Sequence, residues 1–113
     1  MKTCRLPLVL IIFAFASSAL AQSLFVTNRY SNNVAVIDTS TNQVVTEIPV
    51  GTFPIRIAMT PNRLKAFVSN GESANISVLD TVARTTTATI PVTRVPGEEA
   101  VTPDGARLFV VHQ

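Results

Sequence analysis

The chain contains an internal repeat, in which residues 24–65 align with residues 66–107 without a gap. Identical residues recur at an offset of 42, the difference between 25 and 67 for Phe25 and Phe67, and again for Asp38 and Asp80. A fixed period of this size is typical of repeat architectures, because each unit buries its apolar surface only against neighbouring copies. The sequence therefore predicts two stacked units, with the start of a third at residues 108–113.

Each unit contains four segments with the pattern of short β-strands. Residues 24–28 alternate apolar and polar side chains, and residues 34–38 are rich in β-branched side chains between polar turns. Residues 44–50 include Glu and Pro, which are typical of an exposed edge strand, and residues 55–60 form the fourth segment. No segment has a helical period, so the sequence predicts an all-β fold.

Several short motifs within this period point to a known family. They are F-V-T-N at 25–28, V-A-V-I-D-T at 34–39, I-P-V-G at 48–51, and A-x-T-P followed by D-G at 100–105. Together they resemble the YVTN family of β-propeller repeats, in the lactonase-like seven-bladed propeller superfamily, whose members are exported bacterial and archaeal proteins. The resemblance implies that each repeat contributes one blade of four antiparallel strands.

The resemblance also implies how the strands are divided among blades, because the strand before the P-D-G turn is innermost in that family. Residues 24–50 would then be three outer strands, residues 54–92 one complete blade, and residues 96–113 the first two strands of a third. Propellers close with about four to eight blades. We therefore expect an incomplete ring, a fragment of a longer propeller.

The first 21 residues have the pattern of a secretory signal peptide. Lys2 and Arg5 precede an apolar run that is shorter than the roughly 20 residues of a membrane-spanning helix, and small residues end at Ala21 before Gln22. We expect cleavage between Ala21 and Gln22, and a periplasmic or extracellular location with no membrane attachment after cleavage.

Charge and cysteine content exclude some classes of partner. The chain has nine Lys and Arg and seven Asp and Glu residues, and removal of Lys2 and Arg5 with the signal peptide balances the two. No basic patch and few aromatic residues remain, so we expect no nucleic-acid partner. The single cysteine, Cys4, lies in the signal peptide, so thiolate metal sites are excluded from the rest. We expect no cofactor and no metal.

Few residues qualify as catalytic or metal-binding candidates. His112 is the only histidine and has no evident catalytic partner. Glu98 and Glu99 are adjacent, and consecutive residues of a strand point their side chains to opposite faces, so the two carboxylates do not converge on one site. Asp38 and Asp80 occupy equivalent positions, and a carboxylate that caps its own turn explains each better than a calcium loop does. The sequence predicts no catalytic residue.

The repeats depart from the family at one position that suggests an ion pair. The family has glycine two residues after the proline that opens the inner strand, whereas this chain has Arg56 in one unit and Glu98 in the next. Opposite charges at equivalent positions of neighbouring blades predict a contact within about 4 Å, worth about 0.2 to 1 kcal/mol when exposed.

Two functions remain open from the sequence. The first is an exported propeller that binds an unidentified protein or small molecule, or serves as a surface scaffold, without catalysis. The alternative is a fragment of a propeller enzyme, lactonase-like or redox-associated, which the resemblance allows by fold analogy alone. The two ends of the repeat array carry complementary incomplete blades, so we also expect self-association through open blade edges.

Overall fold

The computed structural model describes residues 22–113, which form β-strands joined by turns, with no helix in this range. The nine strands are β1 (Ser23–Asn28), β2 (Asn33–Asp38), β3 (Gln43–Pro49), β4 (Pro54–Met59), β5 (Lys65–Asn70), β6 (Asn75–Asp80), β7 (Thr85–Pro91), β8 (Pro96–Val101) and β9 (Leu108–His112). No helix long and apolar enough to cross a membrane occurs in these residues. The predicted signal peptide lies outside the residues that the structure describes.

The strands form three sheets of three, four and two strands. The first sheet is β1-β2-β3, the second is β4-β5-β6-β7, and the third is β8-β9, with all neighbours antiparallel. This division matches the expected three outer strands, one complete blade and two inner strands. The predicted fold class, all-β propeller blades in an incomplete ring, is confirmed.

The two repeat units share their irregularities as well as their strands. The pairing of β2 with β3 shifts register between Val36 and Ile37, and that of β6 with β7 shifts between the equivalent Val78 and Leu79. A bulge of this kind increases local twist. Its recurrence shows that the sequence repeat is a repeat of backbone geometry.

The aspartates that end β2 and β6 cap their own turns, as predicted. Asp38 Oδ1 accepts hydrogen bonds from the Ser40 backbone N–H at 2.8 Å and the Ser40 hydroxyl at 2.6 Å. Asp80 Oδ1 accepts from the backbone N–H groups of Val82 and Ala83 at 2.9 and 2.8 Å. The hydrogen bonds from Ser40 lower the pKa of Asp38.

The turn after each inner strand also repeats. Asn62 Oδ1 accepts from the Thr60 hydroxyl at 2.7 Å, and Asp104 Oδ1 accepts from the equivalent Thr102 hydroxyl at 2.5 Å. Gly105 has a φ of 73°, a positive value that glycine adopts without steric cost. The equivalent residue in the first unit, Arg63, also has a positive φ, of 65°, although its side chain disfavours this conformation.

The apolar core lies between the first and second sheets. Ala66 of β5 pairs directly with Leu79 of β6, so their side chains lie on one face of the second sheet. Because side chains alternate along a strand, Val68 lies on the same face as Ala66. This face packs against apolar residues of the first sheet, Val34, Val36 and Ile48. Full burial of each such side chain contributes about 1.5 to 3 kcal/mol. Face-to-face burial between successive sheets therefore holds the array together.

The outermost faces of the array remain exposed. Leu24 of the first sheet is 51% exposed, whereas its equivalent in the second sheet, Ala66, is fully buried. On the opposite end, Phe109 and Val111 of β9 are 60% and 61% exposed, whereas the equivalent of Val111, Ser69, is fully buried. The first and third sheets therefore each expose to solvent a face whose equivalent in the second sheet is covered by a neighbouring sheet.

Candidate binding cleft

A cleft lies where the turns of all three sheets meet. It has a volume of about 350 Å³, within the range of about 300 to 1,000 Å³ that is usual for small-molecule sites. Its lining residues are Arg29, Phe53, Ile55, Arg56, Gly71, Glu72, Val95, Gly97 and Gln113. The cleft exists only because the three sheets stack, since each of them contributes part of the wall.

Phe53 is held in the lining by hydrogen bonds to two turns. Its backbone N–H donates to Asn32 Oδ1 at 2.9 Å, and its carbonyl accepts from the Gly71 N–H at 2.8 Å. These bonds tie it to the turns of the first and second sheets. Its φ of 64° lies in the left-handed region, which costs a residue other than glycine on the order of 1 to 3 kcal/mol. Strain of this kind is concentrated at functional sites.

The Phe53 ring is flanked by two side chains of the β1–β2 turn. The Arg29 guanidinium carbon lies 4.8 Å from the ring centroid, a cation–π contact. The Tyr30 ring stands edge-on, with centroids 5.9 Å apart and planes at 81°. These contacts place a guanidinium and an aromatic surface together at the cleft.

The structure brings together the two residues predicted as an ion pair. Arg56 Nε donates to Glu98 Oε1 at 2.9 Å, and the two side chains are 50% and 70% exposed. Arg56 Nη1 also donates to the Ile55 carbonyl at 3.2 Å. With this exposure the pair contributes about 0.2 to 1 kcal/mol, so it orients Arg56 more than it stabilises the fold.

Glu98 and Glu99 do not form a site together, because their side chains lie on opposite faces of β8. Glu98 is exposed, while Glu99 is partly buried beside Ser69 of the second sheet. Among the described residues, neither Glu99 carboxylate oxygen has a hydrogen-bond partner, and the fully buried Ser69 hydroxyl has none. Burial raises the pKa of Glu99 to about 7, and the charge of Glu98 adds to the rise.

The burial of Glu99 was not predicted, although the repeat carried a signal for it. The equivalent residue of the first unit, 42 positions earlier, is Ile57, which packs against the core between the first and second sheets. The carboxylate therefore occupies a position that is apolar in the preceding unit. Comparison of the two units position by position would have placed Glu99 in the interface between the second and third sheets.

His112 lies away from any catalytic arrangement in the described part of the chain. It is exposed at the end of β9, opposite Pro96. The equivalent residues of the first two units are Asn28 and Asn70, whose amides donate to Asn33 and Asn75 Oδ1 at 2.8 Å each. In residues 22–113 no three His, Cys, Asp or Glu side chains are grouped closely enough to hold a metal ion.

The solved structures that resemble the chain include two from bacteria. The first is hydrazine synthase of Kuenenia stuttgartiensis, with 30% identity, a TM-score of 0.77, and coverage of 80% of this chain and 26% of that one. The second is a functionally unknown protein from Desulfotomaculum acetoxidans, with 24% identity, a TM-score of 0.73, and coverage of 80% and 31%. No protein-family model matches the chain, and a search of curated proteins finds no match.

The chain therefore spans about a quarter to a third of the length of the solved chains that it resembles. These likenesses and the three stacked antiparallel sheets fit a segment of a β-propeller.

Proposed function

We propose that the chain is a binding module, a segment of an exported β-propeller of the YVTN family that takes a ligand in the cleft lined by Phe53. The observation that carries this proposal is the construction of the cleft. All three sheets line it, and Phe53 is held in a strained conformation by hydrogen bonds to two of them. A strained aromatic residue fixed at a cleft is preorganised for contact with a ligand.

Truncation of Phe53 tests this proposal. Ligand-detected NMR with a library of small metabolites is expected to give ligands for the wild-type chain, and Phe53→Ala is expected to abolish their saturation-transfer signals because the anchored ring is lost. Phe109→Ala is the matched control, because it removes an exposed ring outside the cleft. Signals that survive Phe53→Ala, or no ligand in the wild type, would contradict a binding role for this cleft.

A second candidate follows from the 30% identity to a chain of hydrazine synthase, an enzyme by its name. In this case the segment comes from a propeller enzyme, of the lactonase-like or redox-associated kind that the sequence resemblance allows. The coding sequence on either side decides between the two. His, Asp or Glu recurring at inner-strand ends would favour the enzyme, and plain Y-V-T-N repeats would favour the binding module.

Export is the third part of the proposal. The charged start, apolar run and small residues before Gln22 support cleavage after Ala21 and a periplasmic or extracellular location. Intact-mass measurement of secreted protein is expected to give a chain that begins at Gln22. Recovery of the chain with Met1 in the membrane fraction would overturn this assignment.

We also propose that the segment self-associates when it is expressed alone, and its exposed outer faces support this. The sequence predicts that the β8-β9 sheet of one copy completes the β1-β2-β3 sheet of another as one blade. The two sheets together contain five strands, one more than the four of the complete second sheet, because β1 and β9 are equivalent strands. Stacking of the Leu24 face on the Phe109 face of another copy displaces no strand.

Light scattering is expected to show oligomers that Phe109→Ser reduces, and a monodisperse wild-type monomer would contradict self-association.

A further inference from the structure

We propose that the cleft selects small organic anions, namely a carboxylate carried on an apolar body. This inference rests on the proposed function, since it names the ligand class of the same cleft. The lining combines two guanidinium groups with an apolar surface made by Phe53, Ile55 and Val95. Guanidinium groups bind carboxylates by charge-assisted hydrogen bonds, which are about twice as strong as neutral ones.

Arg29 is available to a ligand. Its side chain is exposed, it stacks on the Phe53 ring, and it forms no ion pair within residues 22–113. The stacking contact restrains the guanidinium without using its N–H donors. Less conformational entropy is therefore lost when those donors bind an anion.

Arg56 is positioned by contacts that leave part of its guanidinium free. Arg56 Nε donates to Glu98, and Arg56 Nη1 donates one hydrogen bond to the Ile55 carbonyl. Arg56 Nη2 has no hydrogen-bond partner among the described residues. The ion pair reduces the charge of Arg56 but fixes its orientation toward the cleft that it lines. Glu72 also lines the cleft and opposes anion binding, so cationic side chains outnumber the carboxylates of the lining by two to one.

The repeat gives an independent indication that the lining serves a ligand. Equivalent positions of successive units meet in the cleft, for example Arg29, Gly71 and Gln113, and likewise Phe53 and Val95. None of the nine lining residues is identical to its equivalent in the neighbouring unit. By contrast, structural positions such as Phe25 and Phe67, or Asp38 and Asp80, are the same in both units. The units have therefore diverged where they line the cleft, as expected of a surface that recognises one asymmetric ligand.

Calorimetric titration of the full chain with three matched probes tests the inference. Benzoate is an anion, benzamide its neutral analogue, and benzylamine a cation, each on the same apolar ring. Benzoate is expected to bind at least about tenfold more tightly than either of the others, the effect of one charged hydrogen bond. Arg29→Gln is expected to weaken benzoate binding about tenfold, and Glu72→Gln to strengthen it several-fold by removing a like charge.

Arg107→Gln is the matched control, because it removes the same charge from an exposed residue outside the cleft lining. It is expected to leave benzoate binding unchanged, and far-UV circular dichroism checks that each variant keeps its strands. Equal affinities for the three probes, all abolished by Phe53→Ala, would overturn the anion preference while the binding proposal stands. No benzoate binding, or binding that Arg29→Gln does not affect, would overturn the inference. The metabolite screen then decides separately whether the cleft binds anything.

Discussion

Replacement of Leu79 by alanine is expected to lower the free energy of unfolding by about 2 to 5 kcal/mol. Leu79 is fully buried in the core between the first and second sheets, with Val36 and Val68 among its cluster. Removal of its isobutyl group loses the transfer free energy of burial and leaves a cavity that the surrounding residues fill only in part. Urea unfolding followed by circular dichroism measures the change.

Ile37→Ala is the matched control, because Ile37 is the residue equivalent to Leu79 in the first sheet. It lies on the outer face opposite Leu24 and is only partly buried. Its truncation is expected to cost about half as much or less, since fewer contacts are lost. Equal losses at the two positions in the monomer would mean that the first sheet is covered on both faces within one molecule, which contradicts an exposed outer face.

Stability is expected to fall as the pH rises from about 5 to 8, because of Glu99. Its pKa in the folded state is about 7, above the ordinary 4.5, since burial disfavours the charge. Below pH 4.5 the carboxyl is protonated in both states and carries no penalty. Between the two values the unfolded chain releases its proton while the folded chain keeps it, so stability decreases and the loss is complete above about pH 7. The loss is on the order of 1 to 2 kcal/mol, discounted because Glu99 as a whole is only partly buried, although its carboxylate oxygens are covered.

Glu99→Gln is expected to remove this pH dependence, and Glu99→Ile to raise stability at pH 8 by restoring the apolar residue found at Ile57. The control is Glu98→Gln, which breaks the exposed pair with Arg56 and should change stability by less than about 1 kcal/mol. Thermal unfolding of the four proteins at pH 5, 6, 7 and 8 makes the comparison. If Glu98→Gln removed the slope and Glu99→Gln did not, the buried carboxyl would have been assigned to the wrong residue.

Much of the fold could be predicted from the sequence, because the pattern of each strand and turn occurs in both repeat units. Strands, turns capped by Asp38 and Asp80, and the positive φ of Gly105 each follow from local patterns. The contact of Arg56 with Glu98 followed from equivalent positions on neighbouring blades. These features depend on residues close in sequence or exactly one period apart.

The cleft could not be predicted in the same way, because it depends on how three sheets are placed against one another. Strand alternation predicts that the Glu98 and Glu99 side chains point to opposite faces, and only the comparison with the apolar Ile57 one period earlier indicates which of the two is covered. The strained Phe53 has no local signal either, since phenylalanine is not a residue typical of positive φ. Its conformation is imposed by hydrogen bonds from two different turns, Asn32 and Gly71.

The first and second sheets stack face to face, as consecutive blades of a propeller do. This stacking can be tested by methyl–methyl nuclear Overhauser effects in the full chain, with Val, Leu and Ile methyl groups labelled. Cross-peaks are expected between Val36 of the first sheet and Val68 and Leu79 of the second, which share one buried cluster. No cross-peak is expected within one molecule between Leu24 and Val111, which lie on opposite outer faces. Cross-peaks between Leu24 and Val111 in the monomer, with those of Val36 absent, would indicate a closed two-sheet sandwich and contradict the propeller arrangement.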